Sequence, residues 1–291
     1  MPRRRVEHRT VYRYQKPVSF GEHRLMFRPR DSHDLRLMDS ALVINPVAEV
    51  RWMHDVFSNS IAIARFAEPA SELRFESRIE IEHYGLEDPS FPIEPYARTY
   101  PFSYGSQEIP DLTRTRERHY PDPEGQVDRW ARSFMNDRST IETQELLERI
   151  NKAISERFDY QRRYAVGVQA PVDTLELGSG SCRDFALLMM EAVRALGFAA
   201  RFVSGYLYDP ASETGDEALR GAGDTHAWVQ IYLPGAGWAE FDPTNGLVGG
   251  ANLIRVAVAR DPSQALPLQG SYRGAAEDFI DMAVEVTVSA A

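Results

Sequence analysis

Residues 178–209 read GSGSCRDFALLMMEAVRALGFAARFVSGYLYD, and residues 223–246 read GDTHAWVQIYLPGAGWAEFDPTNG. In the first stretch Phe185, Leu188, Met189, Ala192, Val193 and Leu196 recur at helical spacing and form one apolar face. Gly178, Ser179, Gly180 and Ser181 make a turn that can cap the start of that helix, and Gly197 stops it as a left-handed cap would. Cys182, the only cysteine of the chain, therefore falls at or just before the helix N-terminus. Unpaired N–H groups and the helix dipole favour an anion there, which lowers the pKa of a thiol and raises its nucleophilicity. The other reading of a lone cysteine is a small buried hydrophobe.

Residues 201–208 are rich in Phe, Val and Tyr and read as a strand. In the second stretch His226, Trp228, Gln230 and Tyr232 alternate with Ala227, Val229, Ile231 and Leu233, the period of a two-faced strand. Residues 234–237 make a turn, and 238–242 run back to Asp242, where Pro243 ends the strand. Such a hairpin sets residues 242–245 roughly opposite 226–229, with cross-strand neighbours about 5 Å apart. His226, the only histidine after His119, can thus meet Asp242. Cys182, His226 and Asp242, each at an element end, suggest a thiol nucleophile, a base and an orienting acid. Taken singly, His226 also reads as a hydrogen-bonded strand residue and Asp242 as a turn former.

The segments GSGSCRDFA, RFVSGYLYD, DTHAWV and GWAEFDPTNG, with their spacing, resemble the transglutaminase-like superfamily in its bacterial two-domain form. VEHRTVYRYQKPV, HRLMFRPR and the C-terminal end extend the resemblance over nearly the whole chain. The resemblance implies an α+β fold: a papain-like transglutaminase core, with a Cys-bearing helix packed on an antiparallel sheet, preceded by an all-β sandwich-like domain. It implies a Cys-His-Asp triad carried by Cys182, His226 and Asp242, and acyl transfer from an amide by peptide hydrolysis or by transfer of a glutamine acyl group to an amine. One departure is Phe57-Ser58-Asn59, where the pattern leads one to expect Gly between the aromatic residue and the Asn.

The remaining sequence gives the frame. The 291 residues suffice for one or two domains, and a net charge of −10 with pI near 5.3 argues against a nucleic-acid binder. No apolar run is long enough to span a membrane, and the basic start MPRRRVEHRTVYRY lacks the apolar segment of a signal peptide. A single cysteine fits a reducing, cytoplasmic setting. Residues 6–84 carry short, punctuated strands, beginning with the alternation Val6, His8, Thr10, Tyr12, Tyr14. Its histidines show no ligand spacing, so no metal is expected. Residues 85–123 are proline-rich, with aromatics that argue for packing onto a domain. Val127, Trp130, Ala131 and Phe134 give a short helix, and Ser139 with Glu142 resembles a capping box before a longer one carrying Leu146, Leu147, Ile150 and Ile154.

The expected division is 1–88 for the all-β domain, 89–122 for the connector, 123–270 for the catalytic domain and 271–291 for a C-terminal strand closing a sheet in either domain. Gln169, thirteen residues before Cys182, is a candidate oxyanion-hole donor; an ordinary loop glutamine is the other reading. The acidic loop before His226 (Asp209, Glu213, Asp216, Glu217, Asp224) reads as solvated, or as a bias toward basic or amine-bearing substrates. The expected activity is hydrolysis of peptide or isopeptide amides, with transamidation and a non-catalytic peptide-binding module as alternatives. The expected partner is a peptide or protein substrate, with no nucleic acid, membrane, cofactor or metal.

Overall fold

The computed structural model describes residues 3–85, 89–136, 139–163, 167–211 and 219–291. The N-terminal strands are β1 (Arg3–Phe20), β2 (His23–Leu25), β3 (Leu35–Asn45), β4 (Ala48–His54), β5 (Ser60–Phe66) and β6 (Ala70–His83). One sheet runs β1-β6-β3 and the other β2-β5-β4, all antiparallel. Tyr14, Val18, Phe20, Leu73, Phe75, Ala62 and Ala64 fill the space between them, which makes the sandwich. The opposite face of β1 and β6 is a ladder of exposed ion pairs such as Arg5–Glu80 and Arg9–Glu76.

The alternation of β1 serves two cores. Tyr14, Val18 and Phe20 belong to the sandwich, whereas Val6, with Ile79 and Ile81 of β6, belongs to the large core that continues through the second lobe. That lobe holds α1 (Ile109–Arg116), α2 (Gln126–Ser133), α3 (Thr143–Arg157), α4 (Pro171–Leu177) and α5 (Cys182–Ala195). They are followed by β7 (Ala200–Leu207), β8 (Thr225–Leu233), β9 (Gly237–Asp242) and β10 (Leu253–Ala259). The sheet order is β9-β8-β7-β10, antiparallel, with Leu247–Val248 on the outer edge of β9. Ala227, Val229, Ile231 and Leu233 share the core with α5, while Trp228 packs on the other side with Val203, Leu207, Leu253 and Val258. The fold is α+β, with the Cys-bearing helix on an antiparallel sheet.

The start of the longer helix differs from the sequence expectation. The helix α3 is capped by Glu142, whose carboxylate accepts from the Glu145 N–H; it does not begin at Ser139. Ile141–Glu142 is instead a short strand paired with Thr99–Tyr100, and the Thr143 hydroxyl and N–H donate to the carbonyls of Ala97 and Arg98, so the helix cannot start earlier. The connector packs on the second lobe, as its aromatics suggest: the Tyr100 and Tyr104 hydroxyls donate to the carbonyls of Leu196 and Tyr232.

After β10 the chain returns to the first lobe. Leu268–Gln269 pairs with β2, Tyr272–Arg273 pairs with β1, and β11 (Phe279–Ala290) runs antiparallel along β1 from Arg4↔Ala290 to Tyr14↔Phe279. The last strand thus closes the N-terminal sheet, and the return already includes residues 268–269.

Side chains of the first lobe hold β7 and β10 directly. His8 Nδ1 meets the Tyr206 hydroxyl at 2.9 Å, and Asn59 both donates to the Val258 carbonyl (2.7 Å) and accepts from its N–H (2.9 Å). Asn59→Ala would leave both main-chain groups of Val258 unpaired in a buried place, so it should cost about 2–4 kcal/mol, read as a lower urea midpoint at unchanged slope. Ser58 beside it has φ +62, the conformation that favours the glycine expected there. Ser58→Gly should therefore raise stability by a net ~0.5–1 kcal/mol in the same measurement.

Candidate active site

The first turn of α5 is organised by Asp184. Ser181, extended at φ −86°, is the N-cap. The Asp184 Oδ2 accepts from the Ser181 N–H (2.9 Å) and hydroxyl (2.8 Å), and Oδ1 accepts from the Gln169 N–H (2.7 Å). Arg163 completes an ion pair at 2.9 Å, and Asp184 is fully buried. An acid at this position suits the positive end of the helix dipole. The spacing Ser181…Asp184 is a capping-box signal visible in the sequence. At the far end Gly197 (φ +92) donates to Arg194 and Phe198 to Val193, a Schellman stop. Cys182 is the first helical residue, 7% exposed, beyond which the first-turn N–H groups point.

The β8–β9 hairpin, with Val229 opposite Phe241, brings His226 and Asp242 together. The His226 Nε2–H donates to Asp242 Oδ2 at 2.9 Å, and both side chains are fully enclosed. Asp242 also accepts from the Thr244 N–H on Oδ1 (2.9 Å) and from Asn245 Nδ2 on Oδ2 (2.8 Å). Burial pushes the Asp242 carboxyl up, but the imidazolium and these donors outweigh it and hold the group below its usual range. Burial likewise pushes His226 down; the Asp242 charge and hydrogen bond, with the facing Cys182 thiol, outweigh that and raise it to about 10. Trp228 stacks on the imidazole, ring centres 6.0 Å apart.

Among the predicted residues, His226 and Asp242 are hydrogen-bonded, and Cys182 lies close enough to the imidazole to raise its pKa. Gln169 does not join them: its amide nitrogen Nε2 donates to Thr174 Oγ1 (3.1 Å) and the Ser179 carbonyl (2.9 Å), so both hydrogens are engaged in the turn before the helix. Tyr160 approaches the site instead. Asp159–Tyr160 pairs in parallel with Ser179–Gly180, and burial followed by the Cys182 charge raises the phenol to about 12. No motif in the sequence singled Tyr160 out. Of the acidic loop, Glu213, Asp216 and Glu217 lie outside the described residues; Asp209 accepts from the N–H groups of Ala211 and Leu219, and Asp224 from that of Thr225.

Residues 4–82 match the bacterial transglutaminase-like N-terminal region, and residues 128–243, which contain Cys182, His226 and Asp242, match the transglutaminase-like superfamily core. The chain belongs to the transglutaminase-like superfamily. An uncharacterized protein of Mycobacterium leprae is 35% identical over 116 residues, 40% of each chain, so the match spans well under two thirds of that relative. An uncharacterized protein of Mycobacterium bovis is 28% identical over 98% of this chain and 92% of its own. A protein-glutamine gamma-glutamyltransferase of Pseudomonas aeruginosa is 37% identical over 101 residues, 34% of this chain and 15% of that protein. A crystal structure from Cytophaga hutchinsonii, named a "putative cysteine protease", superposes with a TM-score of 0.68 at 19% identity, covering 99% of this chain and 90% of that one, and shares the transglutaminase-like fold.

The His226–Asp242 pair predicts a pH signature. Stability from protonated His226 is complete below its unfolded value near 6.5 and is lost as pH rises through about 10; stability from Asp242 holds above its unfolded value near 3.8 and is lost as pH falls below it. Asp242→Asn should cost about 3–5 kcal/mol at mildly acid pH, the penalty of breaking a buried pair. Urea unfolding of both proteins across the alkaline range should show that difference shrinking toward pH 10; a constant difference would mean His226 is not held as the cation.

Proposed function

We propose that this chain is a cysteine-dependent acyl-transfer enzyme acting on peptide or isopeptide amides, in the first place as a hydrolase. The observation that carries the reading is the enclosed hydrogen bond between His226 and Asp242, with Cys182 close enough to the same imidazole to raise its pKa. In this reading His226 takes the proton of the Cys182 thiol, and Asp242 fixes the ring and balances its charge. The thiolate attacks the amide carbonyl. The Cys182 N–H at the helix start and the Tyr160 hydroxyl are the donors proposed for the oxyanion. His226 gives its proton to the leaving nitrogen, the C–N bond breaks with its electron pair on the departing amine, and a thioester remains on Cys182. Water, deprotonated by His226, then attacks the thioester and releases the acid, returning the proton to the thiol. Transamidation shares the thioester and differs only in an amine replacing water; the local similarity to the Pseudomonas aeruginosa gamma-glutamyltransferase supports keeping it as the second reading.

The test follows both products. Enzyme, a glutamine-containing peptide amide and a labelled primary amine are incubated together, and free acid and amine adduct are counted by mass spectrometry. The proposal expects free acid to dominate at millimolar amine. Adduct in excess would require amine binding that favours its transition state by several kcal/mol and would move the assignment to transglutaminase. Cys182→Ala and His226→Ala should each abolish turnover to a similar extent, and Asp242→Asn should reduce it by less, because the groups act as one unit.

A further inference from the structure

A nucleophile that must meet a peptide carbonyl is only 7% exposed, and the side chains of His226 and Asp242 are fully enclosed. Some neighbouring part has to move before an amide reaches the sulfur. The imidazole is covered by main chain: a Cβ built on Gly221 would lie 2.8 Å from His226 Nδ1 and 3.7 Å from the Tyr160 hydroxyl. Gly221 has φ +86, so glycine is needed there both for space and for conformation. This backbone sits against the imidazole on which Cys182 also acts.

The Asn245 side chain ties it to the acid of the pair. Asn245 Oδ1 accepts from the Arg220 N–H at 2.8 Å, and Asn245 Nδ2 donates to the Arg220 carbonyl (3.1 Å) and to Asp242 Oδ2 (2.8 Å). Both main-chain polar groups of the residue preceding Gly221 are tied to the residue that steadies the acid. The task needs a donor and an acceptor on one short side chain, which an amide supplies and a carboxylate does not. Two further anchors are the Arg220 guanidinium on the Ser155 carbonyl (2.9 Å) and the Leu219 N–H on Asp209 (3.1 Å).

We propose that Asn245 is a positioning residue that latches the 219–224 segment across the Cys182–His226 pair, and that release of its hydrogen bonds to Arg220 opens the thiol to substrate. The proposal rests on Cys182 being the nucleophile of the preceding section, but its test needs no turnover. The full chain, Asn245→Ala and Gly221→Ala are alkylated at neutral pH, well below their unfolding transitions, with a small reagent (iodoacetamide) and a bulky one (a fluorescent maleimide). Gly221→Ala works without touching Asn245 or Asp242, because its Cβ has no place against Nδ1.

Loss of the latch should speed alkylation of Cys182 by the bulky reagent about tenfold, the scale of one or two net hydrogen bonds, and by iodoacetamide distinctly less. A change in thiol chemistry or in the hold on Asp242 would instead move both reagents by the same factor. Equal factors for the two reagents, or rates unchanged from the unsubstituted chain in both variants, overturn the proposal. A protein that alkylates as expected yet cleaves no amide keeps the latch and loses the enzymatic reading; one that cleaves amides but alkylates alike in all three forms loses the latch alone.

Discussion

The buried carboxylate of Asp184 is the interaction on which the arrangement depends. A helix with both ends inside a protein leaves its first-turn donors without partners, and α5 is buried along nearly its whole length. Asp184 gathers the Ser181 N–H and hydroxyl, the Gln169 N–H and Arg163 at that end. The loop before the helix and the helix itself are thereby fixed to each other, and Cys182 between them has one position. Phe185, Leu188 and Val193 then set the helix against the sheet that carries His226.

The sheet side solves a different problem. An enclosed imidazolium and carboxylate lose their hydration, and their mutual attraction offsets this only if the remaining lone pairs are also satisfied. Thr244 and Asn245, the two polar residues after Pro243, supply those bonds to Asp242. The N-terminal lobe reinforces the same sheet from outside: Asn59 on β10 and His8 on β7 replace water at groups that would otherwise be buried unpaired. The β11 strand, by returning to β1, makes the two lobes continuous in sequence at both ends of the chain. These contacts give the N-terminal lobe a structural part in holding the site while its own residues lie outside the Cys182–His226–Asp242 cluster.

Much of this was legible in sequence because it is local. The helical period from Phe185 to Leu196, the Gly197 stop and the alternating strand at His226 each depend on residues a few positions apart, and the hairpin turn then fixes which residues face Asp242. What stayed hidden depends on pairings between distant segments. Tyr160 reaches the site through a two-residue parallel bridge to Ser179–Gly180, too short to leave a periodic signal. Gln169 lies near Cys182 in the fold, but its amide is used within the turn, which spacing alone does not reveal. The lobe joined by the last strand could not be read, since the alternation of Met282, Val284, Val286 and Val288 suits either sheet. The start of α3 departs from the Ser139…Glu142 pattern because the bridge from Ile141–Glu142 to the connector overrides it.

The central claim is that Cys182 forms the covalent intermediate with His226 as its proton acceptor. Its most direct measurement is intact-mass spectrometry of the protein quenched in acid during reaction with an activated amide or ester. The account predicts a mass increase equal to the acyl group, mapped by proteolysis to Cys182, removed by hydroxylamine and absent in Cys182→Ala and His226→Ala. Turnover with no acylated protein in any quench, or an adduct on another residue that persists in Cys182→Ala, would contradict it.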